Sequence, residues 1–179
     1  MKAARQLFVE HGYAETSTPT IVATAGITRG ALYHHFEDKR ALFRALVEEE
    51  ARAVADHIEQ SANAKDEPLA ELLAGADAYL EAMTVPGRTR LLLIDGPAVL
   101  GVAAMQEIDE ASSATTLREG LQSAMKKPKG VALERLTPLL ASAFDRAALE
   151  VDAGRDLRAV KTAMRFILTR VVGAKESIA

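Results

Sequence analysis

The 179-residue sequence predicts an all-α fold, and three observations carry that reading. Apolar residues recur at the three- and four-residue spacing of a single helix face along most of the chain. Runs of alternating β-branched residues, the mark of a half-buried strand, are missing. Caps and breakers divide the periodic segments, with Gly12, Gly26, Pro86-Gly87 and Gly154 each closing one.

Residues 3–10 place Ala4, Leu7 and Phe8 on one face, and His11-Gly12 ends this first helix where glycine tolerates positive φ. Thr18-Pro19 reads as an N-cap followed by proline at the first helical position. Ala25-Gly26 stops that short helix. Thr28 caps a third, running through Phe36, and Asp38 caps a long fourth with Leu42, Phe43, Leu46, Val54 and Ile58 on its apolar side. After Asp66-Glu67-Pro68, Leu69, Leu72, Leu73, Ala76, Leu80 and Met83 mark a fifth, which Pro86-Gly87 breaks. Arg88 to Ile94 reads as a short apolar helix closed by Asp95-Gly96-Pro97. One helix is then expected from about Ala98 to Met125, weakened by Ser112, Ser113, Thr115 and Thr116. Lys126 to Gly130 reads as a loop. Two closing helices follow, one with Leu136, Leu139, Leu140, Ala143, Phe144, Ala147 and Val151 on a stripe. The other carries Leu157, Val160, Met164, Ile167, Leu168 and Val171, with the Asp152-Ala153-Gly154 turn between them.

Composition narrows the function classes. Apolar residues at 49% and charged residues at 26% exclude a wholly disordered chain. The absence of cysteine removes disulfides, thiolate catalysis and cysteine-based zinc sites, and suits a reducing cytosol. No basic segment followed by an apolar one opens the chain. Its longest charge-free apolar stretch, Gly96 to Met105, is about half of the roughly 20 residues a membrane span needs. A soluble, cytoplasmic protein is expected.

The net charge of −3 conceals an asymmetry. Residues 1–47 hold six basic and four acidic residues, so they carry +2 and the remainder −5. Five of the eight aromatic residues, Phe8, Tyr13, Tyr33, Phe36 and Phe43, also fall there. A segment this short buries too little surface to hold together on small side chains, and large rings would fill its core.

Thr18 to Lys39 meets the requirements of a helix-turn-helix. Gly26 is free to take positive φ in the turn. Ile21, Ala25, Ile27 and Leu32 are apolar where the two helices would lock. Thr28, Arg29, Gly30 and Ala31 supply the small or polar residues that would face base edges. Thr18, Tyr33, His34 and Lys39 could donate to phosphates.

The run from Phe8 to Tyr13, with Thr18, Ile21, Ala25-Gly-Ile-Thr-Arg-Gly-Ala-Leu-Tyr-His-His-Phe36, Asp38-Lys39 and Leu42, resembles the DNA-binding domain of the tetracycline-repressor (TetR/AcrR) family. The resemblance covers residues 3–46 without a gap. It implies an N-terminal three-helix helix-turn-helix DNA-binding domain over 1–46. A long helix would join this to a larger helical ligand-binding and dimerisation domain over 47–179. Thr18 would cap the second helix and hold a phosphate, and Thr28, Arg29 and Gly30 would lie at the major groove. Arg29 matches the O6/N7 pair of guanine. Tyr33, His34 and Lys39 would contact phosphates, while Phe8, Ile21, Ile27, Leu32 and Phe36 would form a small core. Two departures accompany the resemblance. Val22 stands where alanine is usual, and the first helix begins about a turn late with no basic arm before it.

For the remainder, the resemblance implies an effector cavity, with His57, Tyr79, Met83, Arg90, Met105 and Gln106 on the helices that line it. The wide stripes of the last two helices suggest a homodimer seam, with Leu136, Leu140, Phe144, Val160, Met164, Ile167 and Val171 as its residues. His35 is expected to be a half-buried packing residue, and Glu48-Glu49-Glu50 a solvated face. Phosphate-cradling, dinucleotide, metalloprotease and nucleophile-elbow signatures are absent, so no enzyme, cofactor or metal is expected. The expected function is a transcriptional regulator, a repressor released from a pseudo-palindromic DNA operator by a small-molecule effector. The alternative is a helical dimer that binds ligand or protein and has lost DNA binding.

Overall fold

The structure, a computed structural model, describes residues 1–61, 67–125 and 133–173. The described residues are helical throughout their ordered elements, with no strand among them. In chain order the helices are α1 (Lys2–Glu15), α2 (Thr18–Ala25), α3 (Arg29–His35), α4 (Lys39–Ser61) and α5 (Pro68–Met83). A π-helix (Arg90–Asp95) follows, then α6 (Gly96–Leu100), α7 (Val102–Glu110), α8 (Ser113–Ala124), α9 (Leu133–Asp152) and α10 (Leu157–Val172). The chain divides into two compact units, Met1–Ala51 with Pro86–Ile108, and Arg52–Val85 with Asp109–Ala179. Helices α4 and α7 each contribute residues to both.

The first unit is built on aromatic rings, as their concentration in the sequence suggests. Phe8 and Phe43 are fully buried and meet edge to face at 5.1 Å, and Tyr13 joins them at 5.8 and 5.1 Å. Leu7, Ile21, Leu32, Leu42, Leu46 and Val47 complete the core. Gly12 has φ 78° and ψ 171°, so it kinks α1 rather than ending it, and one more turn runs to Glu15. The buried Thr16 hydroxyl lies 3.1 Å from the Leu7 carbonyl and 2.7 Å from that of Gly12, so it satisfies groups that the kink releases.

Glu50 is 6% exposed, contrary to the expected solvated face for Glu48 to Glu50. Its Oε1 accepts from Arg5 Nε at 2.7 Å and its Oε2 from Arg88 Nε at 2.7 Å. The correction has a physical reason: a buried carboxylate is tolerable only when paired and hydrogen-bonded, and both guanidiniums come from distant parts of the chain. Burial pushes the Glu50 carboxyl up, but the bonds from Arg5 and Arg88 outweigh it and hold the group below its ordinary value. Arg5 also donates to the Pro86 carbonyl at 3.1 Å. Beside it Gly87, at φ 78°, leaves no room for a side chain, since a Cβ there would lie 2.4 Å from Val9 Cγ1.

Two further expectations are corrected in residues 88–125. Asp95-Gly96-Pro97 does not break the chain. Gly96 is right-handed helical, its N–H reaches the Leu91 carbonyl in π-helical register, and Pro97 occupies the first turn of α6, where a missing donor is tolerated. The break comes at Gly101, φ 87°, and a second at residues 111–112, so the single helix expected from Ala98 to Met125 is three helices. The Lys126 to Gly130 loop lies outside the described residues.

In the second unit α5 packs on α8, α9 and α10, and α9 packs on α8 and α10. Leu72, Ala76, Leu80, Met83, Leu121, Leu140, Phe144, Met164 and Leu168 are buried there. Asp156 caps α10 by accepting from the Ala159 N–H at 2.7 Å, and Gly154 turns the chain at φ 92°. No described helix is long and apolar enough to cross a membrane.

Replacing Glu50 with alanine removes the buried carboxylate that Arg5 and Arg88 share and is expected to cost about 3 kcal/mol in chemical denaturation. The sign of the pH effect follows from a depressed carboxyl. Stability from Glu50 is complete above its ordinary value of 4.5 and is lost as pH falls through the lower folded value. Acid titration of wild type and Glu50→Gln should therefore converge at low pH and diverge above it.

Candidate functional site

The helix-turn-helix is assembled by local chemistry. The cap of α2 is Ser17, not Thr18. Ser17 adopts extended backbone and its hydroxyl accepts from the Thr20 N–H at 3.2 Å, which leaves Thr18 inside the helix. At the other end Gly26 is left-handed at φ 66°, with its own N–H on the Ala23 carbonyl and the Ile27 N–H on that of Val22. This paired arrangement closes the helix as a Schellman motif. Thr28 caps α3, accepting from the Ala31 N–H at 3.1 Å, and Asp38 caps α4, accepting from the Ala41 N–H at 2.7 Å.

Ile21 and Leu32, at 1% and 6% exposure, lock α2 to α3. Ile27, expected in the core, is 44% exposed, and Ala25 is exposed as well. Ile27 directly follows the left-handed Gly26 and lies in the turn between the helices, so neither helix carries it on a buried face. His35, expected to be half-buried, is exposed too, with its ring 5.4 Å from that of His34.

One exposed face carries Thr28, Arg29, Gly30, Tyr33 and His34. The Arg29 guanidinium lies 5.4 Å from the Tyr33 ring centroid. Hydrogen bonds from Thr18 and then Arg29 hold the Tyr33 phenol below its ordinary value. Thr18, Arg29 and Tyr33 are therefore brought together, while a Cβ at Gly30 would make only an ordinary contact with Thr28 Oγ1 at 3.9 Å. Lys39 is engaged elsewhere. Its ammonium donates to the Tyr13 carbonyl at 2.8 Å and the Thr16 carbonyl at 3.0 Å, and lies 4.1 Å over the Tyr13 ring. In this position it binds the carbonyl end of α1 to the start of α4.

A cavity of about 400 Å³ lies within the second unit, lined from α4, α5, α7, α8 and α9. Of the six residues expected around an effector, only Tyr79 lines it. The exposed His57 imidazole is 3.8 Å from Glu81, and Met83 is packed in the core. Arg90 pairs with Asp95 and donates to the Val9 carbonyl, Met105 packs against Gly96, and Gln106 is exposed. These three belong to the first unit, because residues 86–108 fold there. Periodicity marks such residues as helical but cannot say which unit receives the helix. At the cavity, the Tyr79 hydroxyl donates to Asp145 at 2.8 Å, and its ring meets Phe144 edge-on at 5.6 Å. Burial, followed by the charge of Asp145, pushes the Tyr79 phenol well above its ordinary value. Of the residues expected in a dimer seam, Leu140, Phe144 and Met164 are buried, whereas Ile167 is 37% exposed and Leu136, Val160 and Val171 are half-buried. Leu139 and Phe166, at 69% and 54%, are the most exposed large apolar residues of α9 and α10.

These features define a protein that is all-helical among its described residues, with an N-terminal helix-turn-helix. The family model described as bacterial regulatory proteins, tetR family, matches residues 1–46, and one described as tetracyclin repressor-like, C-terminal domain, matches residues 69–174. The chain belongs to the TetR family. It is 34% identical over 95 residues to the HTH-type transcriptional repressor AcnR of Corynebacterium diphtheriae, across 53% of this chain and 49% of that protein. The matched stretch thus spans about half the length of that curated relative, and about a third of its Corynebacterium efficiens counterpart. A TetR-family regulator from Pectobacterium atrosepticum superposes with a TM-score of 0.68 at 28% identity, over 95% of this chain and 88% of its own. The transcriptional regulator FadR of Bacillus subtilis, solved with stearoyl-CoA, shares the fold at a TM-score of 0.81 and 16% identity, over 95% and 96% of the two chains.

Ser17→Ala should cost about 1 kcal/mol of stability as a lost cap, and Thr18→Ala should cost clearly less, in parallel urea titrations. Lys39→Met removes charge-assisted bonds from two carbonyls and is expected to destabilise by about 2 kcal/mol.

Proposed function

We propose that the protein is a ligand-responsive transcriptional repressor that binds a pseudo-palindromic DNA operator as a homodimer, in the cytoplasm. Residues 1–46 read DNA, and residues 47–179 bind the effector and form the dimer. The observation that carries this reading is the exposed face of α3. Thr28, Arg29, Gly30, Tyr33 and His34 are all exposed behind a turn whose capping is complete. Arg29 reads guanine through its planar fork, with Tyr33 steadying the guanidinium from below. Thr18, Tyr33 and His34 hold phosphates and set the register. Lys39 adds positive potential, and its main contribution is to place α4 against α1. An enzymatic role has no support, since the named relatives are transcriptional regulators.

A single head makes few base contacts, and two copies supply the specificity of a full operator. The seam is best assigned to the exposed Leu139, Phe166 and Ile167 with the half-buried Leu136, Val160 and Val171, because Leu140, Phe144 and Met164 are closed inside their own unit. Sedimentation at micromolar concentration should give a dimer, and a monomer alone would contradict the seam. The effector enters the cavity of the second unit, where it touches Ile58 and Glu59 of α4 and Asp109 of α7. Within the first unit those same two helices are joined by Arg44 and Glu107, and Arg40 of α4 donates to the Val99 and Leu100 carbonyls. Release then requires only that the effector bind the DNA-free state more tightly. The module without DNA binding is not favoured, as the reading face is intact.

In gel shifts with the DNA upstream of its own gene, Arg29→Ala should relax the operator preference by about 1–3 kcal/mol at the affected base pair. The salt dependence of binding should persist in that variant, because phosphate contacts are retained. Unchanged preference would reject the assignment of Arg29.

A further inference from the structure

The cavity of the second unit has a one-sided electrostatic character. Its apolar lining includes Ile58, Leu72, Ala76, Leu117 and Phe144. Its carboxylates are Glu59, Glu71, Asp109, Glu119 and Asp145, and no lysine, arginine or histidine is found among the described lining residues. Gly120 brings α8 close to α5, since a Cβ there would lie 3.0 Å from Leu72 Cδ1. The void is therefore bounded by small residues on one side and by the Tyr79 and Phe144 rings on another. A volume of about 400 Å³ suits a compact molecule of two or three rings.

Charge placement singles out two of the acids. Asp145 Oδ1 accepts from the neutral Tyr79 hydroxyl at 2.8 Å. Burial pushes the Asp145 carboxyl up, the Tyr79 bond pulls it down, and the charge of Asp109 pushes it up again. The Asp109 charge also reaches the Tyr79 phenol. Two carboxylates thus act on the same half-buried corner, beside an aromatic edge. Such a corner gains from a cation and repels an anion, because a positive charge within about 4–6 Å favours the ionised form of both acids. An anionic ligand would require a countercharge that the described lining does not supply.

We propose that the effector is a monocation on an aromatic skeleton, its rings against Leu72 and Phe144 and its charged head against Asp145 and Asp109. This rests on the assignment of the cavity as the effector site and fixes the chemical class that the site accepts. The aromatic walls contribute area and ring contacts whatever the charge of the head. The two aspartates select the charge. Glu59, Glu71 and Glu119 add a negative field that draws cations toward the cavity.

The test uses the full chain and three probes with one skeleton: 4-biphenylmethylammonium, 4-biphenylmethanol and 4-biphenylcarboxylate. Calorimetric titration at neutral pH should give an affinity for the ammonium at least tenfold above the alcohol, with the carboxylate weakest. Asp145→Asn keeps an acceptor for Tyr79 and should bring the ammonium down to the level of the alcohol, leaving the alcohol unchanged. Asp109→Asn should lower the ammonium preference by a smaller factor, and it serves as the second variant if Asp145→Asn does not fold. An alcohol or carboxylate bound as tightly as the ammonium, a preference untouched by both variants, or no binding of any probe overturns the proposal. A gel shift on the same preparation separates this result from the regulator assignment. Operator binding without ammonium selectivity rejects the ligand class alone. Ammonium selectivity in a protein that binds no operator rejects the regulator and retains the site.

Discussion

The bridging of Arg5 and Arg88 by Glu50 is the interaction on which the first unit depends. It joins α1, α4 and the start of the 86–108 segment at one buried carboxylate. Around it the same three elements close further: Arg5 reaches the Pro86 carbonyl, Gly87 presses on Val9, and Arg90 reaches the Val9 carbonyl. A buried carboxylate with one partner missing is costly, so the pairing works as a constraint on arrangement more than as a source of stability. It also explains why α1 can carry a kink at Gly12. Both halves of that helix are fixed from outside, the first by Glu50 and the second by Thr16 and Lys39.

The reading head was legible because its determinants are local. Gly26 and the caps Thr28 and Asp38 act within a few residues of themselves, and the structure puts them in the roles that spacing suggests. Ser17 and Thr18 differ by one position, and only backbone geometry decides which hydroxyl faces the free N–H. Glu50 was not legible. Its partners lie 45 and 38 residues away, and a run of three glutamates on a helix carries no sign that one faces inward. Lys39 was half legible, since its position at the start of α4 is local but its carbonyl partners belong to the end of α1. Gly96-Pro97 misleads for a related reason: proline in the first turn of a helix is indistinguishable by type from proline that ends one.

The second unit was legible as helices and much less as a site. Stripes on α9 and α10 mark apolar faces, yet a stripe does not say whether a neighbour in the same chain or a second copy covers it. Leu140, Phe144 and Met164 are covered from within, while Leu139 and Phe166 are not. The cavity is a tertiary product of five helices. Its acidic character could be found only once Asp109 and Asp145, distant in sequence, shared one corner with Tyr79. Net charge was informative after it was divided, since +2 in residues 1–47 suits a polyanion.

Methylation interference on an operator fragment tests the central claim most directly, because a methyl group on guanine N7 blocks the major-groove edge that Arg29 would occupy. Two symmetry-related guanines, separated by about one helical turn of 10–10.5 base pairs or a multiple of it, should abolish binding when methylated. Binding that tolerates methylation at every guanine of the site would contradict major-groove reading by α3.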